Sequence, residues 1–438
     1  MANPYLPSWE YIPDGEPRVF GDRLYVYGSH DRVDCESFCD YKLKVWSASI
    51  HDLGHWVCHG DVFRTRSGGS TPADVDWSEK ELYAPDVVEK DGKYYLYAYI
   101  VDSKGCVAVS DRPEGPFTLL SMYQYNISDH YDDGTFIDPG VLVDDDGRVY
   151  VYCGFQGSYM CELNGENMYE VIDGTYQPDI IPVTDTEEGF FEACSPRKIG
   201  DTYYLIYSPR LGSRLAYATS DSPTGPFTYR GYIVDNSADY PGGNNHGSIC
   251  KIGDQWYIFY HRMTNGSIMS RRGCVERITI LDDGLIPTVE MTSLGFEEAL
   301  NPYEVTPADT ACVLKGGNAL ITELDPFTRV ITQITDGCVM GWKYYEFGDD
   351  YTGEDMTFMA KLLPRGCHGR IRICIDDTET EIGVVEFQRD SSVVRGKVKN
   401  VTGRHSVYLI AEQGYEGWSV YYFEGRHLFD LVAFQFCK

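Results

Sequence analysis

The chain has 438 residues, more than one ordinary domain holds. Charged residues make up 24% and the hydrophobic set 43%, which excludes a disordered chain. A formal net charge of −30 repels phosphate backbones and so argues against nucleic acid as a partner.

No 18-residue apolar run occurs, and Met1-Ala-Asn-Pro-Tyr-Leu-Pro7 has neither a basic nor an apolar signal region. The expectation is therefore a cytoplasmic protein without a membrane span. Fourteen cysteines suit a reducing compartment, and the lack of paired C-x-x-C spacing argues against a structural zinc site.

Taken in order, the chain repeats one short stretch. It reads Gly21-Asp-Arg-Leu-Tyr-Val-Tyr27, Asp91-Gly-Lys-Tyr-Tyr-Leu-Tyr97, Asp146-Gly-Arg-Val-Tyr-Val-Tyr152, Gly200-Asp-Thr-Tyr-Tyr-Leu-Ile-Tyr207 and Gly253-Asp-Gln-Trp-Tyr-Ile-Phe-Tyr260. Each copy is a hairpin-turn pair feeding an aromatic and β-branched strand. The turn glycines are 71, 55, 53 and 53 residues apart. Strand repeats of this period predict the blades of a five-bladed β-propeller.

The first blade fills residues 1–60. His51, His55 and His59 are four apart, a metal spacing on a helix, but Gly54, Gly60 and the strand pattern make them turn histidines. Blade two runs over 80–120 and closes on Ser110-Asp-Arg-Pro-Glu-Gly-Pro-Phe117. Blade four, over 188–235, closes on the matching Ser220-Asp-Ser-Pro-Thr-Gly-Pro-Phe227, 110 residues on. Blade three begins near Phe136, and its Asp144-Asp-Asp-Gly147 reads as a turn, since the distal Glu of a calcium loop is missing. Blade five spans 243–290.

The repeat then stops. Residues 1–295 are assigned to the propeller, with a linker over 291–305, and residues 296–438 to a β-sandwich with no helical periodicity. Excess tyrosine, 35 in all, suits strands and also flat sugar-binding surfaces.

Ahead of each turn glycine stands a polar residue that the apolar pattern does not require. These are Asp14, Asp86, Asp138, Glu192 and His246, at offsets of 7, 6, 9, 8 and 7 residues. The strand before the first hairpin turn of a blade lines the central channel, so the spacing predicts that all five meet in one axial pocket. Crowded carboxyl groups in a partly dry pocket cannot all ionise at their free values. One protonated acid beside one ionised base is what glycoside hydrolysis requires. The alternative is that these residues cap backbone groups at strand ends.

On these residues the chain resembles glycoside hydrolase family 43, inverting enzymes on a five-bladed propeller. Tyr11-Ile-Pro-Asp14 is similar to the family's general-base segment. Phe136-Ile-Asp138-Pro139 is similar to that of its pKa modulator. Phe190-Phe-Glu192-Ala193, with Lys198 beyond, is similar to its general-acid segment. The resemblance makes Leu82-Tyr83-Ala-Pro-Asp86 a substrate wall and Arg271 a contact of substrate and modulator. His30 and Asp31 are further candidates for sugar hydroxyls. Asn244-Asn-His246-Gly247 resembles a motif whose histidine faces an axial calcium through water. No cofactor is implied for the chemistry itself.

The C-terminal part resembles a family 6 carbohydrate-binding module, with Trp342, Tyr344, Tyr345 and Trp418 either stacking on sugar or packing in the core. The implied partner is an oligosaccharide. The expected activity is removal of non-reducing-end α-L-arabinofuranosyl residues, with β-xylosidase or β-galactosidase of the same family as alternatives. Related five-bladed fructan hydrolases need an Asn-Asp-Pro motif that is missing here. A non-catalytic sugar-binding propeller is the alternative of a different class.

Overall fold

A computed structural model describes residues 2–33, 35–102, 105–122, 137–181 and 186–438. Five antiparallel sheets follow one another along the first part of the chain. Blade one is β1 (Glu16–Phe20), β2 (Arg23–Tyr27), β3 (Lys42–Ser49) and β4 (Asp52–Arg64). Blade two is β5 (Leu82–Lys90), β6 (Lys93–Ile100), β7 (Gly105–Ser110) and β8 (Thr118–Met122). Blade three is β9 (Gly140–Val143), β10 (Val149–Cys153), β11 (Tyr159–Leu163) and β12 (Gln177–Pro178); its expected start near Phe136 lies outside the described residues. Blade four is β13 (Phe190–Ile199), β14 (Thr202–Pro209), β15 (Arg214–Ser220) and β16 (Thr228–Asp235). Blade five is β17 (Ser248–Ile252), β18 (Gln255–Thr264) and β19 (Ser267–Ile278).

The first strand of every blade is innermost, and these strands lie against one another around the axis. Blade five has three strands of its own. The start of the chain completes it: Tyr5 N donates to Gly273 O, and the Asn3 carboxamide both accepts from Val275 N and donates to Val275 O. Residues 3–5 thus lie along the free edge of β19. Here Gly273 allows the close approach, because a Cβ would stand 2.8 Å from Ile12 O.

The repeated aromatic run has a common use. Its final tyrosines, Tyr27, Tyr97, Tyr152, Tyr207 and Tyr260, are all buried. Each hydroxyl finds an acceptor: Pro113 O, Met168 O, Pro223 O, Glu188 O and the Glu276 carboxylate. Tyr27 and Tyr152 reach the Ser-x-x-Pro turn of the following blade, so the two repeated motifs hold each other. Much of the tyrosine excess therefore serves packing between blades.

His55 and His59 sit on the edge strand β4 and pair with Asp52 and Ser47, so the three histidines hold no common ligand. Eleven of the fourteen cysteines are buried, and all fourteen are free thiols. Among the described residues no helix is long and apolar enough to cross a membrane.

After the propeller come β20 (Thr306–Pro307), β21 (Val313–Lys315), β22 (Leu320–Asp325), β23 (Thr328–Ile334), β24 (Val339–Glu346), β25 (Asp355–Pro364), β26 (Gly369–Ile375), β27 (Glu381–Phe387), β28 (Val393–Lys399), β29 (Arg404–Gln413), the short helix α1 (Trp418–Phe423) and β30 (Phe429–Cys437). They form one hydrogen-bonded path, β21-β24-β29-β26-β27-β28-β25-β30-β23-β22 with β20 on β30. The path folds back on itself. Trp342 on β24 meets Phe434 on β30 at 4.6 Å between ring centroids, although the two strands are far apart along the path. The result is a β-sandwich.

Its core is not separate. One apolar cluster runs from Ile206 and Tyr260 of blades four and five through Met291 to Phe358 and Phe436. The connecting segment is tied on both sides, with Thr292 on Glu276 and Ser293 N on Lys343 O. Trp342 and Tyr345 are fully buried, so the expectation that they stack on sugar gives way to core packing. Tyr344 hydrogen-bonds Glu290 beside the connecting segment, while Trp418 is exposed.

Candidate active site

One cavity of about 580 Å³ opens at the axis, within the size range of small-ligand sites. Each blade gives it at least one aromatic or apolar wall residue: Phe38, Tyr83, Ile137 with Phe155, Phe191 and Ile268. Phe155 and Phe191 meet at 5.1 Å between ring centroids. Asp14, Asp138, Glu192, His246 and Arg271 line the same cavity.

The carboxyl groups are mounted on unusual backbone. Asp14 and Asp138, each two residues ahead of an innermost strand, have φ of 56° and 52°. Ala193, beside Glu192, has φ of 70° and lies within the second of two register shifts that flank Glu192 in the β13–β14 ladder. Left-handed non-glycine residues of this kind cost about 1–3 kcal/mol each and persist only where the surroundings hold them. Leaving the regular ladder turns these side chains into the cavity instead of across the sheet.

One guanidinium serves two carboxyl groups. Arg271 Nη1 donates to Asp14 at 2.7 Å, while its Nε, Nη2 and backbone N–H each donate to Asp31 at 2.9 Å. Its face lies over Phe38. His246 Nδ1 is 3.6 Å from Asp14 and 3.7 Å from Asp138. His261 Nδ1 is 3.5 Å from Asp14, and its Nε2 bonds Asn244 O. Burial lowers the proton affinity of both imidazoles, His261 to about 3, which leaves the guanidinium groups of Arg271 and Arg210 as the cations lining the cavity near neutrality.

Proton affinities diverge accordingly. Burial pushes the Asp14 carboxyl up, but Arg271 beside it outweighs this and holds it below the ordinary range. Glu192 is pushed up to about 7, by burial first and then by the negative charge of Asp14; the Asn244 carboxamide donates to its Oε1. Asp138 is raised as well, by burial and by the charges of Glu192 and Asp14. The site can hold an ionised carboxylate and a protonated carboxyl at the same pH.

Three expected substrate contacts are corrected. Asp86 is fully buried outside the cavity, in a lower layer of the channel. Arg18 grips it through Nε and Nη2, and the amides of Val87 and Val141 complete its shell. Turn chemistry explains the displacement. Gly21 and Gly253 come first in their two-residue turns, whereas Gly92 comes second in its own. Asp14 and His246 therefore stand six residues back from the last residue of their strands, and Asp86 only four. Asp31 spends both oxygens on Arg271 and is 2% exposed, so it faces the guanidinium and not a sugar. His30 has both ring nitrogens engaged, with Asp40 and Glu10.

The lower layer also bears on the expected calcium. Glu16 pairs with Arg197 at 2.7 Å and Asp86 with Arg18 at 2.6 Å. Among the described residues no group of three or more His, Cys, Asp or Glu side chains is arranged to hold a metal ion. The side chains around His246 do not by themselves make a cation site.

Several cavity residues carry no mark in the sequence. Phe38 and Phe155 come from loops without periodicity. Asn244 and Phe191 stand inside motifs already singled out, where their adjacency to His246 and Glu192 was the available signal.

The comparisons with known proteins agree with this geometry. The family model "Glycosyl hydrolases family 43" matches residues 13–286. A xylosidase/arabinosidase of Thermoclostridium stercorarium is 39% identical over 399 residues, covering 78% of this chain and 82% of that one. A solved family 43 β-xylosidase/α-arabinofuranosidase from a compost microbial metagenome, in complex with xylotriose, superposes with a TM-score of 0.56 at 28% identity, over 66% of this chain and 97% of that one. The fold of a Bacillus subtilis arabinoxylan arabinofuranohydrolase covers 100% of this chain and 97% of its own, with a TM-score of 0.56 at 23% identity. With its propeller, its three cavity carboxyl groups and this family match together, the chain belongs to glycosyl hydrolases family 43 and is a glycoside hydrolase.

Proposed function

We propose that the enzyme removes non-reducing-end α-L-arabinofuranosyl residues from arabinoxylan- or arabinan-derived oligosaccharides by a single displacement with inversion. The observation that carries this is the split in proton affinity across one cavity, with Asp14 held low and Glu192 raised to about 7. In this reading Asp14 takes a proton from water as the water oxygen bonds to the anomeric carbon. Glu192 gives its proton to the departing glycosidic oxygen as that bond breaks. Asp138 orients Glu192, while burial and the negative charge of Asp14 favour the protonated acid.

Tyr83 and the other wall residues close around the terminal sugar, and a ring with aromatic or apolar side chains from every blade suits a chain end better than an open chain. Arg271 holds the base. β-Xylosidase activity on the same site is the second reading, favoured by the relative from Thermoclostridium stercorarium, whose name carries both activities.

The chemistry takes no cofactor. A calcium near His246 would be held through water, and metal analysis of the purified protein decides its presence. Fourteen free thiols support a reducing, cytoplasmic setting.

Proton NMR of the first-formed sugar tests the mechanism: inversion is expected, and retention of configuration defeats it. Aryl α-L-arabinofuranoside, β-D-xyloside and β-D-galactoside substrates, compared by kcat/KM, rank the sugars.

A further inference from the structure

The hairpin β22–β23 of the sandwich reaches two walls of the active site. On one side Asn265 N, at the tip joining β18 and β19, donates to Ile321 O at 2.6 Å, and Glu323 N donates to Asn265 Oδ1. Ile268 of the cavity wall lies three residues from that tip. On the other side Arg329, 3% exposed, donates from Nε to the Tyr11 hydroxyl at 2.8 Å, with its guanidinium 5.4 Å from the Tyr11 ring centroid. Its remaining donors are satisfied within the hairpin, by Asp325 O, Thr328 O and Glu323.

Tyr11 is fully buried three residues before Asp14, and its carbonyl accepts from Asp31 N at 2.9 Å. Asp31 in turn holds Arg271, and Arg271 holds Asp14. A continuous path of short contacts therefore runs from the sandwich to the carboxylate assigned as the base.

We propose that Arg329 is a positioning residue for hydrolysis, through which the C-terminal domain fixes the Tyr11–Asp14 segment and the seat of Arg271. The inference rests on the reading of Asp14 as the base. It gives the sandwich a part in the reaction that needs no sugar bound to the sandwich itself. An arginine suits the place because one planar group satisfies a hairpin's carbonyls and a distant hydroxyl together, with the tyrosine ring beneath it.

The test uses the full chain with aryl glycoside substrates. Tyr11→Phe and Arg329→Met are each expected to lower kcat about tenfold or more with little change in KM, because slack in the base segment misplaces the attacking water. Each should also move the acid limb of the kcat/KM profile to higher pH, because a looser Arg271 depresses Asp14 less. Arg329→Lys, which can still donate to the hydroxyl, should recover part of the loss, and the double variant should be no worse than the poorer single one.

Tyr11→Phe keeps the buried ring, so it remains informative if Arg329→Met folds poorly by circular dichroism. Unchanged kcat and an unmoved acid limb in folded Tyr11→Phe overturn the proposal, as does simple additivity in the double variant. Asp14→Asn run alongside separates the two readings. An active Asp14→Asn enzyme removes the base assignment itself, whereas an inactive one beside unaltered Tyr11 and Arg329 variants removes only the positioning role.

Discussion

Two acidic layers ring the axis at the inner strands, and their carboxyl groups are paired differently. In the lower layer each carboxylate has its own guanidinium, Glu16 with Arg197 and Asp86 with Arg18. Burial would raise both, but Arg197 and Arg18 bring Glu16 below the ordinary range, while Asp86 stays above it through burial and the charge of Glu16. In the upper layer Arg271 bonds Asp14 and Asp31, and among the described residues neither Asp138 nor Glu192 is ion-paired with a guanidinium. Burial is comparable in the two layers. What differs is direct pairing: each lower carboxylate is bonded to a guanidinium, whereas Asp138 and Glu192 line an open cavity without one.

The sharpest way to break this contrast is to neutralise each layer in turn. Glu192→Gln and Asp14→Asn should each cost about 10²–10⁴-fold in kcat/KM on an aryl glycoside, with the thermal midpoint little changed. Arg18→Met should do the reverse. It strands Asp86, which is 0% exposed, and should cost about 3–5 kcal/mol in urea unfolding, while the folded molecules keep their turnover. Loss of turnover in folded Arg18→Met would mean that the lower layer takes part in the chemistry.

The pH profile sharpens the contrast further. Glu192 must carry its proton to act, so kcat/KM should fall above an apparent value near 7, about tenfold per pH unit. Asp14 must be ionised, and its lowered proton affinity puts the acid limb below the ordinary aspartate range. A profile that rises through pH 7 contradicts the assignment of acid and base. The smallest effect belongs to the packing between blades. Tyr152→Phe removes the bond to Pro223 O and should cost about 1 kcal/mol of stability with no change in activity.

What the sequence reveals follows from the range of each signal. Blades are legible because turn pairs and alternating aromatic runs are local, and Asp14, Asp138 and Glu192 stand at nearly constant distances from those turns. Asp86 is misplaced because a ruler laid from the glycine does not separate Gly-Asp from Asp-Gly. The arginine partners are invisible in the chain: Arg18 lies 68 residues from Asp86, and Arg197 181 from Glu16. Phe38 and Phe155 belong to loops whose aromatic content no period explains. The merging of the two cores was hidden too, because strand pattern reports which face is apolar and not what covers it.

The seating of residues 3–5 along β19 also sets an order of events during synthesis. The base segment leaves the ribosome well before blade five. Val275, which receives Asn3, comes 272 residues later, and Arg271, which receives Asp14, 257 residues later. Arg329 is later still. Until then Asp14 has no cation and blade five has an open edge. The nascent enzyme is therefore inactive by construction, and its catalytic centre is completed only when the ring closes on its own beginning.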